Sequence, residues 1–325
     1  MITKSQAELS SKLKQAGMTF SYFTLTSEGD YETYDADWNY KDIPHLNVLH
    51  QLVNGYPAAI GDSFITSVLL QKVAGITLPM IIASYQSGKD RVTYYTSFLS
   101  FLLIIETSWK SVGELRTRVD TKYAIGSKPI FRFLHPIIRR LVSKNYEVLM
   151  SEDIPMRTRR GLLRKWGYGF RTDGSSHTFT VTLRILDENM VFRAKSLPPP
   201  ADLITAAQIE TSRKKDILIG RSDHWGLRFK STGDVLQVFP RMCPHEGACL
   251  DHQSLDSGTV TCPWHGRILR PLVSIPLPIS ANATPIEMRY HRIVSSPGGL
   301  KVEYKDTLLQ EKPDPTDTIL DVSGL

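Results

Sequence analysis

The chain has 325 residues, of which 41% are hydrophobic and 22% are charged, a composition typical of a globular protein with room for two sizeable cores. The longest apolar run, Phe98 to Ile105, is too short to cross a bilayer, and the first residues contain no apolar signal segment. These features argue against an integral membrane protein and predict a cytoplasmic one. The net charge of +6 is mild for this length, so we expect no nucleic-acid partner.

The first two hundred residues predict an antiparallel sheet together with one long helix. In chain order, the predicted elements are a helix over Ser5 to Ala16, a strand over Phe20 to Thr26, a helical segment over Ile43 to Val53, strands over Ser63 to Val73, Leu78 to Tyr85, Arg91 to Phe98, Leu102 to Trp109 and Glu114 to Ala124, a long helical stretch over Ile130 to Trp166, and a last strand over Thr178 to Leu186. Breaks in the long helix are expected at Pro136 and Pro155. A sheet wrapped around a long helix resembles the helix-grip, or START-like, arrangement, which encloses an apolar cavity.

Changes in composition divide the chain into four segments. Residues 1–195 are predicted to form a first domain, residues 196–215 a linker around Pro198-Pro199-Pro200, residues 216–306 a small all-β domain, and residues 307–325 a polar tail. The predicted fold class is therefore α+β. Basic clusters at Arg139-Arg140 and over Arg157 to Lys165 are interpreted as a solvated helix face or as a docking surface for an acidic redox partner, with contact to a membrane surface as a weaker alternative.

Two short motifs in the last third of the chain predict an iron–sulfur site. Cys243-Pro-His245 and Cys262-Pro-Trp-His265 each supply one cysteine and one histidine, and sixteen residues separate them. Two thiolates suit one iron of a two-iron cluster, and two neutral imidazoles suit the other and raise its reduction potential. A structural zinc site also uses two cysteines and two histidines, but zinc motifs usually pair like residues in each loop. Gly247 and Gly266 let each backbone bend towards the cluster.

On these motifs, residues 216–305 resemble a Rieske domain of the oxygenase and ferredoxin kind. The respiratory kind has an additional disulfide between the loops, whereas Trp264 stands here where the second cysteine would be needed. Only Cys249 is left besides the two cluster cysteines, so no intramolecular disulfide can form, which indicates a reducing compartment. Glu246 departs from the oxygenase pattern, which often has arginine after the first ligand histidine.

A second motif, over Asn39 to His50, predicts a mononuclear metal site. His45 and His50 are five residues apart, which places both imidazoles roughly on one side of a helix. Asp42 lies one turn before His45 and can accept a hydrogen bond from the nitrogen that does not bind metal. Two histidines and one carboxylate are the ligand set of non-haem iron sites that activate oxygen.

This segment resembles the mononuclear-iron motif of Rieske non-haem iron oxygenases. In that family the third ligand is a carboxylate on the long helix, and Ser151-Glu152-Asp153 resembles the corresponding stretch. The resemblance therefore implies iron ligation by His45, His50 and Asp153, with Glu152 as the alternative to Asp153. Family alpha subunits usually place the cluster domain first, whereas here the order is reversed, with the catalytic domain over residues 1–195.

The resemblance also implies cofactors, partners and a route for electrons. The cofactors would be a Rieske [2Fe-2S] cluster and a mononuclear ferrous iron, and the electron donor would be a ferredoxin or a flavin reductase. The family forms head-to-tail homo-oligomers, often trimers, in which a carboxylate joins the second cluster histidine of one subunit to an iron-ligand histidine of the next. Carried over to this chain, Asp42 would be that bridge, between His45 and His265 of a second copy.

These expectations predict an oxygenase that uses O₂ to hydroxylate an apolar organic substrate. They leave open whether one or two oxygen atoms are added. Two alternatives also remain: a lipid-type binding domain fused to a Rieske electron-transfer module without a second iron, and a Rieske redox sensor or assembly protein whose first domain recognises a partner.

Overall fold

The computed structural model describes residues 6–61, 63–73, 75–170, 173, 190–192, 202–256 and 258–305. These residues form two compact units. The N-terminal unit comprises residues 6–161 and 173, and the C-terminal unit comprises the described residues from 162 to 170 and from 190 to 305. The predicted strand over Thr178 to Leu186 and the predicted tail over 307–325 lie outside the described residues.

The N-terminal unit is built on one seven-stranded antiparallel sheet in the order β1-β7-β6-β5-β4-β3-β2. Its strands are β1 (Thr19–Gly29), β2 (Val53–Gly61), β3 (Phe64–Val73), β4 (Ile76–Gly88), β5 (Arg91–Phe98), β6 (Phe101–Gly113) and β7 (Arg116–Ser127). Its helices are α1 (Gln6–Gln15), α2 (Thr33–Lys41), α3 (His135–Lys165, of which the last four residues belong to the C-terminal unit) and two 3₁₀ helices, Pro44–Asn47 and Pro129–Leu134. The sheet and the long helix confirm the predicted α+β helix-grip arrangement.

Alternation along the strands places apolar side chains on both faces of this sheet. Leu103 of β6 and Tyr123 of the neighbouring β7 face α3 and pack against Ile138 and Tyr146. Ile104 faces the other way, where α1 covers the sheet with Leu9 and Leu13 among others. The side-chain amide of Gln6 at the start of α1 donates to the carbonyl oxygens of Ile104 and Lys122, both at 3.0 Å, which fixes α1 to the sheet.

Helix α3 runs for 31 residues through Pro155, so the predicted break there is wrong. Pro155 removes the donor for the carbonyl of Ser151, but both residues lie on the exposed side of the helix, where water can satisfy that carbonyl. Pro136 is the second residue of α3, where the missing N–H breaks no helical hydrogen bond. None of the helices in the described ranges combines the length and the apolar character needed to cross a bilayer.

The predicted solvated basic face over Arg157 to Lys165 is corrected at two positions, because Arg157 and Arg160 are completely buried. Helix α2, which the sequence did not predict, supplies their partners. Arg160 Nε donates to Asp35 Oδ1 at 2.9 Å, and its guanidinium lies 4.0 Å from the ring centre of Trp38. A buried guanidinium needs a paired carboxylate, so these contacts hold α2 against α3.

The C-terminal unit is almost entirely β-structure after α3 ends. Its strands are β8 (Tyr168–Phe170), β9 (Met190–Phe192), β10 (Asp202–Thr205), β11 (Ile217–Arg221), β12 (His224–Thr232), β13 (Val235–Pro240), β14 (Leu255–Asp256), β15 (Thr259–Thr261), β16 (Ile268–Leu269), β17 (Val273–Pro276), β18 (Ile286–Glu287), β19 (His291–Ser296) and β20 (Gly299–Tyr304). They form the sheets β10-β20-β19-β18, β11-β12-β13-β17, β14-β15-β16 and β8-β9. Leu227, Phe229, Val238 and Val302 are among the buried residues of its main core.

The predicted linker over 196–215 is corrected for residues 202–211. Residues Asp202–Thr205 pair with β20 as β10, and Ala206–Thr211 form helix α4, with Ile204 and Ile209 in the main core of the C-terminal unit. The polar composition concealed this, because among the side chains whose burial is described, Ile204 of the strand and Ile209 of the helix are the buried ones.

Candidate metal centres

Three side chains from separate parts of the N-terminal unit meet at a single point. His45 Nε2 lies 3.1 Å from His50 Nε2, and the two nitrogens lie 3.5 Å and 3.4 Å from Asp153 Oδ1. All three residues are buried, and together they could hold one metal ion. Atoms that bind one ion at ~2.0–2.2 Å lie about 3.0–3.5 Å apart at neighbouring corners of an octahedron or tetrahedron, so the observed spacing fits a metal.

The two histidines do not lie on one regular helix, as the spacing predicted. His45 is in the 3₁₀ helix Pro44–Asn47, and His50 lies in the loop that leads from it into β2. Pro44 opens that short helix, and Asn47 closes the loop, since its side chain donates to the carbonyl of Gly55 at 2.9 Å and accepts from the Gly55 N–H at 2.7 Å. The chain thus brings His50 back to His45 by a turn instead of by helical periodicity.

Two further carboxylates contact the outer nitrogens of these histidines. His50 Nδ1 is 2.7 Å from Glu152 Oε2, and His45 Nδ1 is 3.5 Å from Asp42 Oδ2. A carboxylate on the outer nitrogen fixes which ring nitrogen points at a metal and makes it a better donor. Glu152, the alternative third ligand in the sequence, thus contacts His50 Nδ1, whereas Asp153 is the acid that reaches both Nε2 atoms.

A buried amide and a buried guanidinium hold the Asp153 carboxylate. Asn39 at the end of α2 donates from Nδ2 to Asp153 Oδ1 at 3.0 Å, and Arg157, one turn further along α3, donates to Asp153 Oδ2 at 3.2 Å. Arg157 Nε also donates to Asn39 Oδ1 at 2.7 Å. No motif in the sequence predicted this arrangement, although the four-residue spacing of Asp153 and Arg157 on a helix is a signal for their pairing.

The electrostatics of the site favour a cation. Burial by itself lowers the pKa of His45, but hydrogen bonds to Asp153 and Asp42 outweigh it and raise that pKa to about 9. Burial lowers the pKa of His50. Burial would raise the pKa of Asp153, but its contacts with His45 and Arg157 hold that pKa well below the ordinary value. The carboxylates thus stabilise positive charge where the three ligand atoms meet.

The three residues lie in the wall of a cavity between the sheet and α3. This cavity has a volume of about 230 Å³, and apolar side chains such as Leu69, Ile82 and Ile105 line most of the rest of its wall. A second chamber of about 180 Å³ is also lined by Leu69, Ile82 and Ile105, and its wall is almost wholly apolar. A small number of polar groups in an apolar cavity is the usual character of a small-molecule site.

In the C-terminal unit the four predicted cluster residues come together on two loops of the same form. The Cys243 N–H donates to Ala248 O at 2.9 Å, and the Cys262 N–H donates to Arg267 O at 2.8 Å. The N–H groups of Gly247 and Gly266 donate to Cys243 O and Cys262 O, both at 2.9 Å. These glycines have positive φ angles of 84° and 66°, and a Cβ at Gly247 would collide with Leu163.

The donor atoms on these loops suit the predicted cluster. The His245 and His265 rings lie 4.8 Å apart between centres. A hydrogen bond from the Cys243 thiol, together with His265 and the backbone N–H groups of Trp264 and His265, lowers the pKa of Cys262 to about 5. The same contact, together with burial, raises the pKa of Cys243. Two thiols in contact and two neighbouring imidazoles, with backbone N–H groups directed at the sulfurs, fit an iron–sulfur cluster.

Glu246, which departs from the family pattern, is buried beside the first loop. Its Oε1 lies 3.9 Å from His245 Nε2. A carboxylate at this distance stabilises positive charge on the imidazole, which arginine at the same position would oppose.

Comparison with known protein families identifies part of the chain. Residues 202–270 match the family described as the Rieske [2Fe-2S] domain, so the C-terminal unit contains such a domain. This domain implies a [2Fe-2S] cluster, a role in electron transfer and exchange of electrons with a redox partner. The match begins at the first residue of β10, in agreement with the correction to the predicted linker. A search among curated proteins gave no significant match.

Several solved structures are similar to part of the chain. A START superfamily protein from Mycobacterium smegmatis is 13% identical, with 42% of this chain and 96% of that chain covered and a TM-score of 0.37. The Zhui aromatase/cyclase from Streptomyces sp. R1128 is 11% identical over 44% of this chain and 96% of that one, with a TM-score of 0.39. The di-domain aromatase/cyclase BexL of the BE-7585A pathway is 10% identical, with 42% of this chain and 49% of that chain covered and a TM-score of 0.38. These likenesses concern the fold alone.

Proposed function

We propose that the chain is a Rieske-type oxygenase that uses O₂ and externally supplied electrons to hydroxylate an apolar organic substrate. The observation that supports this most is the meeting of His45, His50 and Asp153 in the wall of an apolar cavity, in a chain that also contains a Rieske domain. A lipid-type binding domain would need the cavity but would not need two buried histidines and a buried acid at one point in its wall.

In this proposal, the residues of the N-terminal unit hold the iron and shape its surroundings. His45 Nε2, His50 Nε2 and Asp153 Oδ1 would be the ligands, and all three residues line the cavity that would hold the substrate. A ferrous ion bound there would supply oxygen activation, with single electrons from the [2Fe-2S] cluster. Glu152 and Asp42 keep the histidine rings in place from behind.

The cavity explains the choice of an apolar substrate. Its apolar wall excludes water and binds a molecule by burying its hydrocarbon surface, while Thr107 and Thr121 offer a few hydroxyl groups for orientation. A ferredoxin or a flavin reductase is the proposed electron donor. We further propose that Asp42 joins His45 to His265 of a second copy in a homo-oligomer, as the family resemblance implies.

The number of iron atoms per chain tests the proposal. Protein purified and reconstituted without oxygen should contain three irons and two acid-labile sulfides per chain, because one iron is held outside the cluster. His45→Ala should lose one iron and leave the visible spectrum of the cluster unchanged, whereas His252→Ala, at an exposed histidine, serves as the matched control and should keep all three.

The main alternative makes a different prediction for the same measurement. A binding domain fused to a Rieske electron-transfer module would contain two irons and two sulfides in the wild type, and His45→Ala would change neither number. That result in protein with a fully formed cluster would refute the oxygenase.

A further inference from the structure

One end of the N-terminal unit exposes large apolar side chains that belong to different elements. Register places these elements together, since Phe101 at the start of β6 pairs with Ser127 at the end of β7, and the Phe131 ring lies 6.1 Å from the Phe101 ring. Strand β4 pairs with β5, and the first residues of β4 extend past the last residue of β5. The hairpin between β3 and β4 therefore lies at this same end. We call its exposed side chains the apolar rim: Ile76, Leu99, Ile130, Phe133 and Ile137.

The members of this rim are exposed to an unusual degree. Leu99 is 94% exposed, and Ile130 and Phe133 are each 72% exposed. Leu99 also has a positive φ of 51° at the tight turn between β5 and β6, a conformation that glycine or asparagine adopts more easily. Leu99 is unfavourable here twice, because its backbone conformation is strained for leucine and its apolar side chain is exposed to water. Such a residue points to a binding role for this surface.

Basic side chains lie in the same stretch of chain as three members of the rim, and the segments around the rim contain long ranges without an acidic residue. The sequence has no Asp or Glu between Asp120 and Glu147, between Asp90 and Glu106, or between Glu8 and Glu28. The exposed basic residues beside the rim form a basic collar: Lys128, Arg132, Arg139, Arg140 and Lys144. Arg140 and Lys144 follow Ile137 by three and seven residues, so they continue the same ridge of α3.

The second chamber of the cavity lies at this same end. Among its lining residues are Phe98 and Ile138, which directly adjoin Leu99 and Ile137 of the rim, and Val73, which pairs with Ile76. The elements that expose apolar side chains to solvent are therefore the elements that enclose the apolar chamber.

We propose that the apolar rim and the basic collar bind the surface of an anionic lipid bilayer. Apolar side chains that enter the interface, with lysines and arginines placed to reach lipid phosphates, are the features of proteins that lie on such a surface. An acidic protein would match the charge of the basic collar. It would not offer one continuous apolar surface for the widely spaced side chains of the apolar rim. The adjoining chamber would then receive its substrate from the bilayer, so the substrate would be a lipid-like molecule; this last step rests on the proposed function.

Vesicle sedimentation with the full chain tests the proposal. We expect binding to vesicles of phosphatidylcholine with phosphatidylserine, weaker binding to phosphatidylcholine alone, and loss of binding as salt rises. Arg140→Glu with Lys144→Glu should lower the partition coefficient at least about 25-fold, because each of the two basic residues contributes about fivefold. Phe133→Ser with Leu99→Asn should lower it about tenfold through lost apolar burial.

Matched variants at the opposite end of the sheet are the controls. Val112→Ser removes an exposed apolar side chain and Lys89→Glu reverses an exposed charge there, and both should bind vesicles as the wild type does. His45→Ala should also bind normally, which separates this proposal from the proposed iron site. Thermal unfolding of Phe133→Ser with Leu99→Asn should match the wild type.

Three results would overturn the proposal. One is vesicle binding that the rim and collar variants leave unchanged. Another is a chain that does not bind vesicles but forms dimers that dissociate in the Phe133→Ser variant, since a second copy would then cover the rim. The last is a large drop in melting temperature in the rim variant, which would mean that these side chains are packed within the protein.

Discussion

At the scale of single residues, the candidate iron site depends on how the Asp153 carboxylate is held. Arg157 contacts its outer oxygen and Asn39, and both partners are buried. A carboxylate fixed through its outer oxygen presents one oxygen to a metal and keeps the remaining positions open. The residues that set this geometry are thus as important to the site as the ligands themselves.

We expect Arg157→Met to weaken iron binding about 10–100-fold, the usual effect of removing an outer partner of a metal ligand. The buried Asp153 carboxylate would lose its cationic partner, so the free energy of unfolding should also fall by about 3–5 kcal/mol. Arg157→Lys keeps the charge and should give an intermediate affinity, which separates positioning from folding. Iron competition against a chelator measures the affinity, and equal affinity in all three proteins would contradict the assigned role.

Asp42 is the residue whose proposed role depends on a second copy. Asp42→Asn should keep both metal centres, because the side chain stays the same size and faces the outer nitrogen of His45, not the nitrogen that would bind the metal. Electron transfer from the cluster to the mononuclear iron should slow by orders of magnitude in a stopped-flow experiment on the reduced protein. Transfer at the wild-type rate would refute the bridge.

At the scale of elements, the sequence predicted β1 and β3 to β7 of the central sheet well but missed β2 and helix α2. Strands β3 to β7 carry β-branched and apolar residues with regular alternation, which is a local signal. Helix α2 has no apolar stripe, and its stability comes from Asp35 and Trp38 contacts with Arg160 of α3, which only the folded chain reveals. The two cluster loops were predictable because their chemistry lies within a few residues of sequence, whereas the Asn39–Arg157–Asp153 contacts join distant segments.

The packing of α3 against the turn after β1 predicts an unusual response to a helix-favouring substitution. Alanine normally stabilises a helix interior by about 1 kcal/mol relative to glycine. A Cβ at Gly161, however, would collide with the Asp30 carbonyl oxygen and lie 2.9 Å from Tyr31 Cα, and backbone atoms cannot easily move away. Gly161→Ala should therefore destabilise the protein by about 1–3 kcal/mol in denaturant unfolding. Glu147→Ala, at an exposed site on the same helix, should change stability by less than about 0.5 kcal/mol.

Strand β19 makes the Rieske unit sensitive to acid through His291. Burial, together with the nearby Lys305, lowers its pKa to about 4, although its Nε2–H donates to the Trp225 carbonyl at 2.7 Å, a contact that favours the charged ring. The folded state therefore favours the neutral ring, so the contribution to stability is complete above pH 6.5 and is lost as pH falls towards 4, by on the order of 3 kcal/mol.

Denaturant unfolding between pH 7.5 and pH 4.5 measures this effect. His291→Gln keeps a donor for the Trp225 carbonyl and should lose much less stability over this range than the wild type. His252→Gln, at an exposed histidine, should behave like the wild type. A wild-type stability that stays constant down to pH 4.5 would contradict the assignment.

At the scale of the whole molecule, the chain combines a cavity-forming helix-grip unit with a Rieske domain. The fold class and the identity of the second domain followed from sequence periodicity and from two motifs. The sequence did not predict the shape of the cavity, the second chamber or the apolar rim, because each of them depends on which strands become neighbours. The reversed order of the units leaves the proposed chemistry intact, since the iron ligands and the cluster ligands each lie within one unit.

X-ray anomalous scattering from crystals of anaerobically prepared protein can locate the proposed mononuclear iron. With data collected above and below the iron absorption edge, we expect an iron peak bounded by His45 Nε2, His50 Nε2 and Asp153 Oδ1, in addition to the iron of the cluster. A fully formed cluster with no iron peak among those three atoms, or with a peak that only zinc explains, would contradict the proposal.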